Sequence, residues 1–180
     1  VKVWDVAEQL ATTPKGNLDK GLVAYYPFNG NATDESGNGN DGTLHSGQFG
    51  GLKKQVKDRH GKLGQAYFFD GHSTITVENH PSLNFSEEMT ISVWVNQGDN
   101  SRLGPGVICN GRMEDNGAGF SYALNVGEDG DGRPRFLLSD SKESKQWFAE
   151  LGGWQIKNRR QWSHVVATYN GKSAQVYVNG

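Results

Sequence analysis

The eight residues Met89-Thr-Ile-Ser-Val-Trp-Val-Asn96 alternate without a break. In an extended chain successive side chains point to opposite faces, so Ile91, Val93 and Val95 line one face and Thr90, Ser92, Trp94 and Asn96 the other. A helix would mix the two sets around its circumference. The aliphatic face is a core face, and the segment is one strand of a sheet. Further apolar runs at residues 22–28, 65–69, 74–77, 106–109, 120–126, 135–138, 164–169 and 174–178 bring the expected count to about nine strands. The connections agree: 25 glycines against 5 prolines, with no sustained helical period, are the texture of short strands and tight turns. The reading is all-β, and 180 residues suit one domain with one core.

Composition excludes several classes of function. With a net charge of −2 and scattered Lys and Arg, the chain has no stripe of positive potential for nucleic acid or an anionic membrane. No apolar stretch approaches the roughly 20 residues that span a bilayer. No signal peptide is visible at Val1, as would hold for a mature or excised chain. Cys109 is the only cysteine, so there is no disulfide framework and no Cys-based zinc site. Within Gly106-Val-Ile-Cys109 it reads as a small buried hydrophobe.

Residues 1–20 have a different texture. Trp4-Asp-Val-Ala-Glu-Gln-Leu-Ala11 predicts a short helix stopped by Pro14 and Gly16, a lead-in or linker ahead of a domain over residues 21–180. Residues 48–62 read as a loose stretch. Asp70-Gly71 is a tight-turn dipeptide joining the runs at 65–69 and 74–77, and Asn170-Gly171 is the preferred pair for a type I′ hairpin between the last two strands. Val178-Asn179-Gly180 is a turn with no returning strand, which leaves a sheet edge unpaired and suggests a chain truncated at its C-terminus.

The loop Asp34-Glu-Ser-Gly-Asn-Gly-Asn-Asp-Gly42 concentrates hard oxygen donors and turn glycines. Such donors suit Ca²⁺, which takes roughly 6 to 8 oxygen ligands. Asp34, Ser36 and Asn38 mimic the first positions of an EF-hand. His45 stands where that motif needs a bidentate Glu, and the flanks are β-prone, so an EF-hand is excluded. A plain turn uses the same residue types, and both readings stay open at this point. A second acidic loop, Glu128-Asp-Gly-Asp-Gly132, reads as a solvated hairpin turn.

Several blocks stand in a telling order: Gly21-Leu-Val-Ala-Tyr-Tyr-Pro-Phe-Asn-Gly30, the Asp-x-Ser-Gly-Asn-Gly loop, Phe69-Asp-Gly71, Ser92-Val-Trp-Val95, then Trp162-Ser-His-Val-Val166 and Tyr177-Val-Asn-Gly180. In this the chain resembles the LamG-like, concanavalin A-like lectin/glucanase group over residues 21–180. The resemblance implies a jelly-roll sandwich of two antiparallel sheets, in a module of a secreted or cell-surface, multidomain protein. It also implies a structural Ca²⁺, with Asp34 and Asp70 as ligands, Asn38, Asn40 and Asp41 as additions and backbone carbonyls completing the shell. An acidic residue from a late strand, which often completes such a site, is absent from this sequence.

Sugar rings offer an apolar C–H face rimmed by hydroxyls, so a glycan site needs exposed aromatics beside hydrogen-bonding side chains. Trp147 and Trp154, in an irregular stretch over 145–157, and Trp94 and Tyr177, which parity turns away from the aliphatic faces of their strands, are the candidates. Trp162 reads as core or rim packing. His45, His60, His72, His80 and His164 show no metal-ligand spacing, and His164 reads as structural. A retaining glycosidase would need two carboxylates about 5 to 5.5 Å apart. No run here carries acids at even spacing, and no nucleophile elbow, phosphate loop or sialidase repeat is present. No catalytic residue is assigned. Asn31-Ala-Thr33 and Asn84-Phe-Ser86 fit the glycosylation triplet and receive no role. The expectation is a non-catalytic extracellular recognition module, carbohydrate-binding with a structural Ca²⁺. Its alternatives are an adhesive domain for a protein partner and an accessory domain of a polysaccharide-degrading enzyme.

Overall fold

The strictly alternating run becomes the middle of the largest sheet. In the computed structural model, which describes residues 2–4, 20–46, 54–85, 87–98, 106–111, 120–126, 133–140, 145–150, 156 and 160–180, β1 is Lys2–Trp4, β2 Leu22–Tyr25, β3 Gly42–His45, β4 Lys54–Lys57, β5 Leu63–Phe68, β6 Thr74–Val77, β7 Glu88–Asn96, β8 Gly106–Gly111, β9 Phe120–Val126, β10 Pro134–Asp140, β11 Lys145–Glu150, β12 Trp162–Asn170 and β13 Ala174–Val178. Five of these form one sheet in the order β13-β12-β7-β1-β2, and four form a second in the order β11-β10-β9-β8. Every pairing is antiparallel. The longest ladder joins β7 to β12 without a register shift, from Trp162 opposite Asn96 to Asn170 opposite Glu88.

Parity selects the core. Met89, Ile91 and Val93 of β7, Val165 and Ala167 of β12 and Val176 of β13 form one buried cluster with Tyr122, Leu124 and Val126 of β9 and Phe136 of β10. Ile91, Leu124, Phe136 and Val165 have lost all contact with solvent, and each such burial stabilises the fold by about 1.5–3 kcal/mol. The architecture is the all-β, jelly-roll-type sandwich that the resemblance implied.

Several local expectations are corrected. Trp4 ends a strand and does not begin a helix; residues 5–19 lie outside the described residues. Lys2–Trp4 is inserted between β2 and β7, so the first residues of the expected lead-in belong to the sheet. The stretch 48–62 contains β4, which forms a two-stranded ribbon with β5. Asp70-Gly71 does not close a hairpin: β5 pairs with β4, and β6 pairs with β3. The reason is local. Asp70 Oδ1 accepts the N–H groups of His72 and Ser73 and the Ser73 hydroxyl, which makes a wider turn than two residues allow.

Asn170-Gly171 does join β12 to β13, but shifted by one position. Asn170 N–H donates to Ser173 O, so Gly171 and Lys172 are the central residues, and of the two only Gly171, at φ +80°, has the positive φ that a I′ turn needs at both. Residues 145–150 form a ladder with β10 rather than an irregular loop. Cys109 is exposed on β8, the edge strand of its sheet, and not buried.

Candidate functional site

The loop over residues 34–42 is organised by one carboxylate. Asp34, only 7% exposed, accepts the N–H groups of Tyr25 (2.8 Å) and Ser36 (2.9 Å) on Oδ1. On Oδ2 it accepts the Ser36 hydroxyl (2.8 Å) and the Asn40 N–H (3.0 Å). Its own N–H donates to Asp41 Oδ1 at 2.8 Å. Burial pushes the Asp34 carboxyl up, but the hydrogen bonds from Tyr25, Ser36 and Asn40 outweigh burial and hold it below the ordinary carboxylate value.

The amides of the loop face inward as well. Asn40, also buried, donates to Val23 O (3.0 Å) and Ser82 Oγ (3.2 Å), and Asn38 donates to Leu22 O (2.8 Å). The Tyr26 hydroxyl donates to Asn40 O at 2.6 Å. Burial, reinforced by the nearby Asp34 charge, pushes its phenol far above the ordinary value, so it stays a donor. Gly42 is required by space: a Cβ there would meet Ile75 Cγ2 at 2.6 Å and Ala32 O at 3.0 Å.

The Asp34 carboxylate, the first of the ligands expected for Ca²⁺, is already engaged. Both Asp34 oxygens already accept two protein hydrogen bonds each, which uses their lone-pair directions. Asn38 and Asn40 turn their amide N–H groups onto backbone carbonyls of β2. Asp70 is elsewhere. The β3–β6 ladder runs from Gly42 opposite Val77 to His45 opposite Thr74. Asp41 stands at one end and the Asp70 turn at the other, roughly 10 Å apart at about 3.4 Å per residue. Of the five expected ligands, Asp34, Asn38, Asn40 and Asp41 are brought together as a turn held by hydrogen bonds, and Asp70 is not among them. Among the described residues no three carboxylate, imidazole or thiol groups converge where a metal could sit.

The outer face of the five-stranded sheet is a different kind of surface. Trp94 is 41% exposed and Tyr177 43%, on the side of the sheet away from the core. Register places His164 directly across from Trp94, Val166 across from Ser92 on one side and Tyr177 on the other, and Thr168 between Thr90 and Gln175. The His164 ring stacks on Trp94 with centroids 4.9 Å apart and planes 17° from parallel, and its Nε2 lies 2.7 Å from Ser92 Oγ. Burial, and then the charge of Arg59, hold the His164 imidazole below its ordinary value. The Arg59 guanidinium carbon lies 4.7 Å from the centroid of the Trp94 ring, so the β4–β5 hairpin reaches this face.

Trp162 shares this outer face by parity, opposite Asn96 and half-buried, and does not point into the core. Trp147 lies in β11 in register with Leu138. Trp154 and the acidic loop 128–132 lie outside the described residues. Sequence reasoning missed Arg59 and Trp162 as members of the face. Parity on β12 would have found Trp162; nothing local marks Arg59.

Residues 69–180 match the family model described as the concanavalin A-like lectin/glucanases superfamily. Among solved structures the chain is similar to domain 4 of AbnA, a GH43 extracellular arabinanase from Geobacillus stearothermophilus, in complex with arabinotriose. The TM-score is 0.57 and the identity 21%, over 87% of this chain and 70% of that one. At that identity the likeness bears on the fold. No curated protein matches the chain.

Proposed function

Because the chain belongs to the concanavalin A-like lectin/glucanases superfamily, we propose that it is a non-catalytic recognition module that binds carbohydrate on the outer face of its five-stranded sheet. One observation carries the reading: Trp94 and Tyr177, two large aromatics that remain exposed, share one sheet face, with His164, Val166 and Ser92 between them and Thr168 and Gln175 in the next row. Tyr177 offers the apolar support a sugar ring needs, Trp94, with His164 stacked on it and Arg59 over its ring, offers its exposed edge, and the hydroxyl, amide and imidazole groups offer hydrogen bonds at the sugar's rim. The two aromatics are two strands and two residues apart along the strand direction, roughly 12 Å, a span suited to an oligosaccharide. The similar arabinanase domain was determined with an oligosaccharide bound, which supports the same ligand class here. That enzyme is extracellular, and we place this chain outside the cell in a longer protein on the same ground.

The test is a glycan array followed by calorimetry on the best ligand, with Trp94→Ala and Tyr177→Ala. Each substitution is expected to weaken binding by about 1 kcal/mol or more, roughly fivefold. Binding that survives both unchanged would remove the site from this face, and an array without signal would remove the function.

A further inference from the structure

We infer that the sugar selected by this face is acidic, a uronate, and that Arg59 reads its carboxylate. The inference rests on the carbohydrate reading above and adds the ligand class. Arg59 stands at the tip of the β4–β5 hairpin, and the tip is fixed. Asp58 Oδ1 accepts the N–H groups of His60 (2.9 Å) and Lys62 (2.8 Å), and Gly61 N–H donates to Asp58 O at 3.0 Å. From there the guanidinium lies over the Trp94 ring at 4.7 Å. The ring's quadrupole attracts the cation, but the N–H donors of a guanidinium lie in its own plane, where the ring offers them no acceptor. Among the described residues the Arg59 guanidinium makes no ion pair and no hydrogen bond. A full positive charge with its donor fork already oriented therefore stands at the rim of an exposed sheet face. That fork matches a carboxylate through two parallel hydrogen bonds.

The surroundings favour an anion at the same end. His164 stacks against Trp94, with Ser92 Oγ beside its Nε2. On the outer face of β7, β12 and β13 the acidic residue is Glu88, opposite Asn170 at the far end of the ladder, roughly 20 Å from Trp94 at about 3.4 Å per residue. Asp58, next in sequence to Arg59, turns a carboxylate oxygen back onto the hairpin N–H groups, and the Arg59 charge is one of the influences that hold its carboxyl below the ordinary value, so Arg59 is attracted by a neighbouring carboxylate without being hydrogen-bonded to it. A uronate carries its carboxylate directly on the sugar ring. The ring can lie on the aromatic and polar face while the carboxylate reaches Arg59. A neutral sugar would leave the fork unmatched.

The experiment is calorimetry of the intact chain with oligomers of galacturonate and of glucuronate, their carboxyl-reduced counterparts and a sulfated neutral glycan, repeated with Arg59→Ala and Arg59→Lys. Arg59 is exposed, and unchanged thermal melting serves as the check that the variants fold. The wild type is expected to bind at least one uronate oligomer about tenfold more tightly than its reduced form. Arg59→Ala should bring the two within about twofold by weakening only the acidic ligand. Arg59→Lys, which keeps the charge and loses the fork, should fall between. Equal wild-type affinity for both forms, or a preference that persists in Arg59→Ala, overturns the inference while leaving the carbohydrate reading intact. A sulfated glycan bound as tightly as the uronate also overturns it, in favour of general anion attraction. Failure of every glycan, acidic and neutral, overturns the carbohydrate reading itself.

Discussion

Replacing Asp34 with alanine tests whether its carboxylate is a keystone of the fold. The substitution deletes four accepted hydrogen bonds. The Ser36 hydroxyl keeps a second acceptor, Val23 O at 3.1 Å, and the half-exposed Ser36 N–H can turn to water. Two N–H groups, the buried one of Asn40 and the partly buried one of Tyr25, are left without their acceptor. At about 1–3 kcal/mol for each orphaned buried donor, the loss is about 4 kcal/mol. For a chain of this size, at about 2–4 °C per kcal/mol, Tm should fall by about 8–16 °C. Asp34→Asn keeps one oxygen but turns an amide N–H₂ toward donors, and should cost about half as much. Circular dichroism melts and urea titrations of the three proteins, with Ca²⁺ and with EDTA, give the readout. A cost under about 1 kcal/mol for Asp34→Ala would refute the keystone role. An EDTA effect on the wild type as large as the substitution would assign the carboxylate to an ion instead.

Three further outcomes follow from the same geometry. The folded Asp34 carboxyl is held below its ordinary value of 3.8. Its contribution to stability is therefore complete above that pH and lost as pH falls through the lower folded value, so urea midpoints against pH should show a shallower acid limb in Asp34→Ala than in the wild type. Gly42→Ala should destabilise by about 1–3 kcal/mol by overpacking, because its Cβ would meet Ile75 Cγ2 at 2.6 Å; a melt within error of the wild type would mean the loop gives way easily. His164 titrates below its ordinary 6.5 through burial first and the Arg59 charge second. Its stabilising contribution is therefore complete above 6.5 and declines as pH drops toward the folded value. In Arg59→Ala an NMR titration should move His164 upward, and an unmoved midpoint would deny the coupling.

Long alternating runs were legible because parity alone fixes which side faces the core: Ile91, Val93 and Val165 are buried and Trp94 is exposed, as their positions demand. Short strands without alternation were not. Lys54-Gln-Val-Lys57 reads as a charged loop until β5 lies beside it, and Lys2–Trp4 shows no sign of the strands it joins, because its partners lie far along the chain. The donors of the loop 34–42 were legible as oxygen atoms, but their direction was not. Whether a carboxylate faces an ion or its own backbone depends on φ values such as +89° at Gly37 and +76° at Gly39, which no residue name fixes. Arg59 was hidden for a related reason: its contact with Trp94 exists only after a hairpin folds over a separate sheet.

The three residues of β1 have a mechanical consequence. Among the described strands, β2 meets the five-stranded sheet only through them, since β1 pairs with β2 on one side and β7 on the other. The Asp34 turn, which hangs from β2, is thus coupled to the Trp94 face by a clasp of three residues. Closing so distant a contact adds little to the equilibrium cost, because loop entropy grows only slowly with length, but it delays the step until both partners are in place. Loss of the pairing along Lys2–Trp4 would let β2 and its turn part from β7 while the β7–β12–β13 ladder stays paired, so one short strand decides whether the sheet behaves as one piece or as two.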